Sequence, residues 1–470
     1  MKRGPRYLAA RGIARTVLAG AVDAPALRAR LAACLVVPAG WRDDLARRLA
    51  AWPPYRWRQH DLDSLTEWLL HDARFGEAWQ VHRPPVVRRY ILRPVYAMRP
   101  APLGLHEQAF VPLATPGDLA AWLGLANAGL WRLVLPAAWQ RRRPLGEQHY
   151  RFLQIPKPSG GVRLIEAPEP YLKGLQRRLL DGLLSRVPVH DAVHGYVAGR
   201  SVVSHAAAHA GREVVLRFDL QDFFNSVPAS RVHALWRTLG YPLPVVRCLT
   251  ALCTVATPEV VLQRLREDGG WDWAQAQRRR DAHLPQGAPT SAALANLCAF
   301  GLDLRLAALA ESFGARYTRY ADDLVISGDT ELRRQAARIE PLVAAIVREE
   351  GFRLNHRKTF VAPARGQQRV CGIVVNERPN LPREAFDRLK ASLHRCVVHG
   401  PSALQLPQEL TQPRASALAE GRSPYPESAV LSDAGNVREH LRGRIAWVAQ
   451  LNPAKASRLM RLYEQIDWTR

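Results

Sequence analysis

Apolar and polar positions fall into three textures along this chain of 470 residues. From residue 1 to about 135, Ala, Leu and Trp recur among Arg residues, and prolines interrupt at Pro53–Pro54, Pro84–Pro85 and Pro100. Short helices joined by proline-containing turns are predicted there. From about residue 148 the pattern changes. HYRFLQIPKPSGGVRLIEAP predicts two strands around a Pro-Ser-Gly-Gly turn. A helix follows from about Tyr171 to Leu184, and residues 262–283 read as a charged insertion in a loop or helix pair. EVVLRFDL is a mostly apolar strand that ends in an acid, and RYTRYADDLVISGD predicts a hairpin with Ala-Asp-Asp at its tip. From about 375 to 470 the period returns to helical, in PREAFDRLKASLHRC, NVREHLRGRIAWVAQ and PAKASRLMRLYEQI, with Pro382 and Pro453 placed as first-turn prolines.

Composition changes this picture in one respect. The 66 basic residues against 42 acidic ones leave a formal charge of +24, which points to a polyanionic partner. Only six of the 66 are Lys, so an Arg-rich solvated surface is the ordinary alternative, and charge by itself says nothing about chemistry. The length allows two to four subdomains. The cysteines, Cys34, Cys248, Cys253, Cys298, Cys371 and Cys396, form no CxxC pair, so a reduced, cytoplasmic protein without a cysteine zinc site is expected. The first twenty residues read as an amphipathic helix rather than a signal peptide. No run of about 18 apolar residues predicts a membrane span.

Three carboxylates carry the strongest chemical signal. Asp219 closes the strand VVLRFD, and Asp322 and Asp323 occupy the tip of the hairpin. Extending a nucleic-acid chain needs divalent ions to activate the attacking hydroxyl and neutralise the triphosphate. Magnesium favours a few carboxylate oxygens plus substrate phosphates, and acids at the ends of neighbouring strands would supply them on a rigid base. Either segment alone is ordinary turn chemistry.

In order, however, FDLQDFF, LPQGAPTS and YADD resemble the motif series of reverse transcriptases. The resemblance implies an α+β right-hand polymerase: a helical N-terminal extension over 1–135, fingers and palm over 136–375, and a helical thumb over 376–470. It implies two Mg²⁺ ions held by Asp219, Asp322, Asp323 and the backbone carbonyl of Leu220. Phe224 takes the place of the aromatic that excludes a ribonucleotide 2′-hydroxyl, although Phe223 or Phe224 could instead pack into the core. Gln286 and Gly287 would approach the incoming dNTP, with Gly287 permitting close backbone contact. Lys157 and Arg163 flank the turn that would clamp the triphosphate. Lys358 matches a lysine beyond the catalytic hairpin and is a general-acid candidate, since a lysine pKa can be tuned where an arginine's cannot.

Within that family the chain most resembles bacterial retron enzymes. Their Asn-Ala-x-x-His appears here as His205, Ala206 and His209, with His in place of Asn, and their Val-Thr-Gly as Val370, Cys371 and Gly372, with Cys in place of Thr. These are candidate RNA-binding positions. Local support is the other reading of the two histidines, and metal binding is disfavoured. The retron resemblance implies a cognate structured noncoding RNA, priming from an internal guanosine 2′-hydroxyl, a branched RNA–DNA product, a possible effector protein and a role in defence against phage. The alternatives are an intron-derived, CRISPR-associated or abortive-infection reverse transcriptase, or a non-catalytic RNA-binding protein with a polymerase shape.

Overall fold

The structure, a computed structural model, describes residues 4–80, 84–88, 97–100, 102, 105, 110–156, 162–267, 273–404 and 433–469. Packing divides the chain into two units, Met1–Leu130 with Trp236–Leu249, and Trp131–Leu235 with Thr250–Arg470.

The first unit is mainly helical. Helices Pro5–Leu18, Ala24–Cys34, Ala39–Ala50 and Leu62–His71 enclose Ile13, Leu27, Leu31, Leu45, Leu49, Leu65, Leu69 and Phe75. Sequence sets their ends: Asp61 and Ser64 form a capping box, and Asp23 accepts from the Ala26 amide. Arg30 is buried yet satisfied, because it donates to the carbonyls of Thr16, Val17 and Ala21 at the end of the first helix. A short antiparallel pair, β1 (Leu35–Val36) and β2 (Val86–Val87), was not foreshadowed by any apolar alternation.

In the second unit β3 (Tyr150–Pro156) and β4 (Val162–Pro168) pair antiparallel as the pattern predicts. The main sheet comprises β5 (Val214–Asp219), β6 (Arg316–Tyr320), β7 (Asp323–Gly328) and β8 (Phe360–Pro363), antiparallel in the order β6-β7-β5-β8. β5 and β7 are near-continuous apolar runs because both faces are covered. On one face Val215, Val325 and Ala362 pack with Ala206, Val370, Ile373 and Val375. β9 (Arg369–Val370) and β10 (Ile373–Val374) form a small hairpin beside them.

The C-terminal helices Arg383–His399, Asp433–Leu451 and Pro453–Glu464 share a core of Leu389, Leu393, Leu441, Ile445, Val448 and Leu459. Pro453 opens its helix, whereas Pro382 stands one residue earlier than expected, at the N-cap. The charged stretch 262–283 resolves into a helix pair, Glu259–Glu267 and Trp273–Arg280. Among the described residues no single helix is long and apolar enough to cross a membrane.

Candidate active site

Register brings the acids together. In the β5–β7 ladder Asp219 lies opposite Asp323, and the Leu220 amide donates to the Asp322 carbonyl at 2.9 Å. A one-residue slip would turn every side chain of β5 to the other face, so the buried apolar set also fixes the carboxylates. Beyond the strand, the Asp219 carbonyl accepts from Asn355 and the Gln221 amide donates to Arg353, both at 2.8 Å. The Leu220 carbonyl takes no part in either bond.

The side chains are less gathered than their backbones. Asp323 is turned to Arg217, which donates to both its oxygens at 2.8 and 3.0 Å, and the Cys371 thiol sits 3.4 Å from Oδ2. Asp219 accepts from Asn355 Nδ2 at 3.1 Å and Lys358 Nζ at 2.9 Å. Among the described residues no three acidic, histidine or cysteine groups converge as a ready cage for an ion. Asp219 and Asp323 thus stand opposite each other across the ladder, and each carboxylate is bonded to a cation. The donor set still fits a hard cation. Burial and the charges of Asp219 and Asp323 push Asp322 up to about 6, the signature of negative charge crowded where a positive ion would relieve it.

Strained backbone marks the same place. Among the described residues four non-glycine residues have positive φ, and all four border the acids: Tyr196 (60°), Asp222 (46°), Ala321 (56°) and Cys371 (47°). Each is held by its surroundings. Asp222, three residues beyond Asp219, is gripped by Arg278 and Arg279 at 2.9 and 3.0 Å, and these cations outweigh burial to keep its pKa low. Behind the hairpin tip, fully buried Arg319 donates to Asp303, to Asn296 and to the Ala321 carbonyl. That anchoring is costly to desolvate and correspondingly costly to break.

Two of the residues expected to face the nucleotide, Arg163 and Gln286, lie on or against β4. Arg163 is exposed there, and the Glu166 amide donates to the Gln286 carbonyl at 2.9 Å, docking the LPQG turn on the strand. Gly287 has φ +140°, and a Cβ would come within 3.1 Å of the Glu166 carbonyl, so glycine is required. Beneath it the fully buried Glu166 carboxylate bonds Thr257, Asn225 and His283. Lys157 lies outside the described residues. Phe223 packs inward against Phe352, with ring centroids 5.7 Å apart, and leaves half-buried Phe224 beside Tyr196.

Two expectations about RNA contact are corrected. His205 and His209 are fully buried. His209 bonds Ser327 and Thr318, each at 2.6 Å, and His205 bonds Thr318 at 2.7 Å. Burial pushes His205 down to about 3 and His209 well below its usual value, so both are neutral supports of the sheet rather than an RNA-facing pair. Val370 is likewise core, and Cys371 faces Asp323. Of that motif only Gly372 is exposed.

Residues that sequence reasoning passed over complete the site. Arg217 interrupts an otherwise apolar β5, and Glu166 breaks the apolar half of β4. Both are charges at positions the pattern reserves for the core, a legible signal. Asn355 and Asp303 carried no such mark.

The sheet sets Asp219 opposite Asp323, and the turn that carries Gln286 bonds to β4. Residues 155–375 match the family described as reverse transcriptase (RNA-dependent DNA polymerase). Retron Mx65 reverse transcriptase of Myxococcus xanthus is 40% identical over 354 residues, spanning 74% of this chain and 70% of that protein. Retron Mx162 reverse transcriptase of the same organism is 41% identical over 260 residues, 52% of each chain. Retron Ec86 reverse transcriptase of Escherichia coli is 30% identical over 248 residues, 52% of this chain and 69% of that one. The class is therefore RNA-directed DNA polymerase with the α+β fold expected of it. The chain belongs to the retron reverse transcriptases, acts on RNA templates with nucleotide substrates, and comes from a family that uses divalent metal ions.

Proposed function

We propose that the chain copies part of a cognate structured noncoding RNA into single-stranded DNA, primed from the 2′-hydroxyl of an internal guanosine, to give branched RNA–DNA in cytoplasmic anti-phage defence. The likeness to Retron Mx65 reverse transcriptase over 354 residues carries this reading. Asp219, Asp322 and the Leu220 carbonyl hold two magnesium ions in it, with Asp323 as the third acid. When bound, such ions lower the pKa of the attacking hydroxyl and neutralise the triphosphate. Arg163, with Lys157, binds the triphosphate, and Gln286 and Gly287 border the base. Phe224 faces the sugar. Lys358, which already reaches Asp219, supplies the proton to departing pyrophosphate.

Residues 136–375 act as fingers and palm in this reading, and 376–470 as an RNA-gripping thumb. Gly372 contributes to that grip, as A-form RNA is read through shape, phosphates and 2′-hydroxyls. Residues 1–135 dock an effector protein, extend the RNA-binding surface or brace the fingers. Cells expressing the gene with its upstream flank test the priming step: a short DNA of defined length should release RNA on treatment with debranching enzyme. DNA without attached RNA would refute the retron product and leave the polymerase intact.

A further inference from the structure

Tyr196, in the segment HGYVAGRS, has no part in the chemistry above, yet it stands beside Phe224 and Tyr320. The residue is 58% exposed, and its backbone is left-handed, a conformation that bulky residues avoid. The two residues before it are pinned. A Cβ on Gly195 would fall 2.6 Å from the Ala321 amide, so this stretch lies directly on the catalytic hairpin tip. Asn296 Nδ2 donates to the Gly195 carbonyl at 2.9 Å, and the His194 amide donates to the Arg319 carbonyl at 2.8 Å. The same buried Arg319–Asn296 pair that supports Ala321 thus fixes the approach to Tyr196.

The ring has two aromatic neighbours, Phe224 at 6.3 Å and Tyr320 at 6.2 Å between centroids. Burial of the phenol end and the nearby charge of Asp322 push its pKa up, while Arg163 acts in the opposite sense. The hydroxyl therefore lies in the field of both a catalytic acid and the cation of the nucleotide hairpin. An exposed tyrosine held in left-handed backbone contributes little to a core.

We propose that Tyr196 is a specificity-determining residue of the nucleotide pocket, whose ring backs Phe224 and so denies a ribose 2′-hydroxyl the space it would need. The inference rests on the reading of Phe224 as the sugar gate. Phe224 is only half-buried, and among the described residues the aromatic rings beside it are those of Phe223 and Tyr196. Without that ring Phe224 can retreat, and ribonucleotides gain entry.

Single-nucleotide incorporation by the full chain on an RNA template, with dCTP against CTP, tests this. The variants are Tyr196→Asn, Tyr196→Phe and Phe224→Ala. Asparagine tolerates left-handed backbone, so Tyr196→Asn removes the ring without adding strain. We expect it to lower the dCTP:CTP ratio of kcat/KM by about tenfold or more, the scale of a lost pocket wall. Tyr196→Phe should keep the ratio of the wild type. An unchanged ratio in Tyr196→Asn, beside a collapsed one in Phe224→Ala, would overturn the role of Tyr196 and spare the gate. Equal losses with both nucleotides in Tyr196→Asn would also overturn it, in favour of simple support. If Phe224→Ala leaves the ratio intact, the gate itself falls and this inference with it.

Discussion

The two units bury different things. Among the described residues the first unit buries one charged side chain, Arg30, and it spends that charge on the carbonyls at a helix end. The second unit buries Glu166, Asp219, Arg279, Asp303 and Arg319, with His205, His209 and His283 alongside. Each is tied to a segment that carries or abuts the acids. Arg319 holds the hairpin tip, Arg279 the turn after Asp219, the Glu166 carboxylate joins Asn225, Thr257 and His283 beneath the Gln286–Gly287 turn, and His205 and His209 hold the strands behind. Apolar packing is sufficient to build a helical unit. Holding strained backbone in place takes directional bonds to fully desolvated charges, which are weak aids to stability and strong aids to position.

That contrast can be broken experimentally. Asp303→Ala should have the largest effect on the fold, about 3–5 kcal/mol, because it strands the Arg319 charge in the core. Chemical denaturation followed by Trp fluorescence would show it, and a loss below about 1 kcal/mol would mean that the pair is not sealed from water. Leu31→Ala should cost about 2–5 kcal/mol by leaving a cavity among the first helices. Hydrogen exchange should then rise in residues 5–75 and stay unchanged in β5 and β7. Equal acceleration in the sheet would contradict the division into units.

A smaller effect follows from the histidines. Their folded pKa values lie below the ordinary 6.5 of an unfolded chain, so both states are neutral above that pH and the contribution to stability is complete. As pH falls below about 6.5 the unfolded chain takes up protons that the fold refuses. Stability should decline by about 1 kcal/mol per imidazole near pH 5.5 and continue to fall toward the folded values. His209→Gln should flatten that slope, and a wild type equally stable from pH 7.5 to 5.5 would count against buried neutral rings.

Much of this was legible in the chain. Strands β3 to β7, the hairpin at YADD and the three C-terminal helices follow from apolar period and turn residues, and the acids could be placed because register follows from the same pattern. What escaped notice was long-range. Nothing near Asp323 in sequence announces that Arg217, 106 positions earlier, will take its carboxylate. His205 and His209 share the spacing of a functional pair, yet the strands that bury them come more than 100 residues later. Burial depends on the partner face, and a local pattern reports only its own.

The account depends above all on Asp219 and Asp322 acting as the negative pole on which nucleotide addition takes place. Incorporation of dNTPs on a primed RNA template, measured for wild type beside Asp322→Asn, addresses that directly. Removing a carboxylate that burial and its neighbours already disfavour should leave the melting temperature no lower. Incorporation should nevertheless fall by about 100-fold or more, the scale on which transition-state charge is stabilised. A folded Asp322→Asn that incorporates as well as wild type would contradict the assignment.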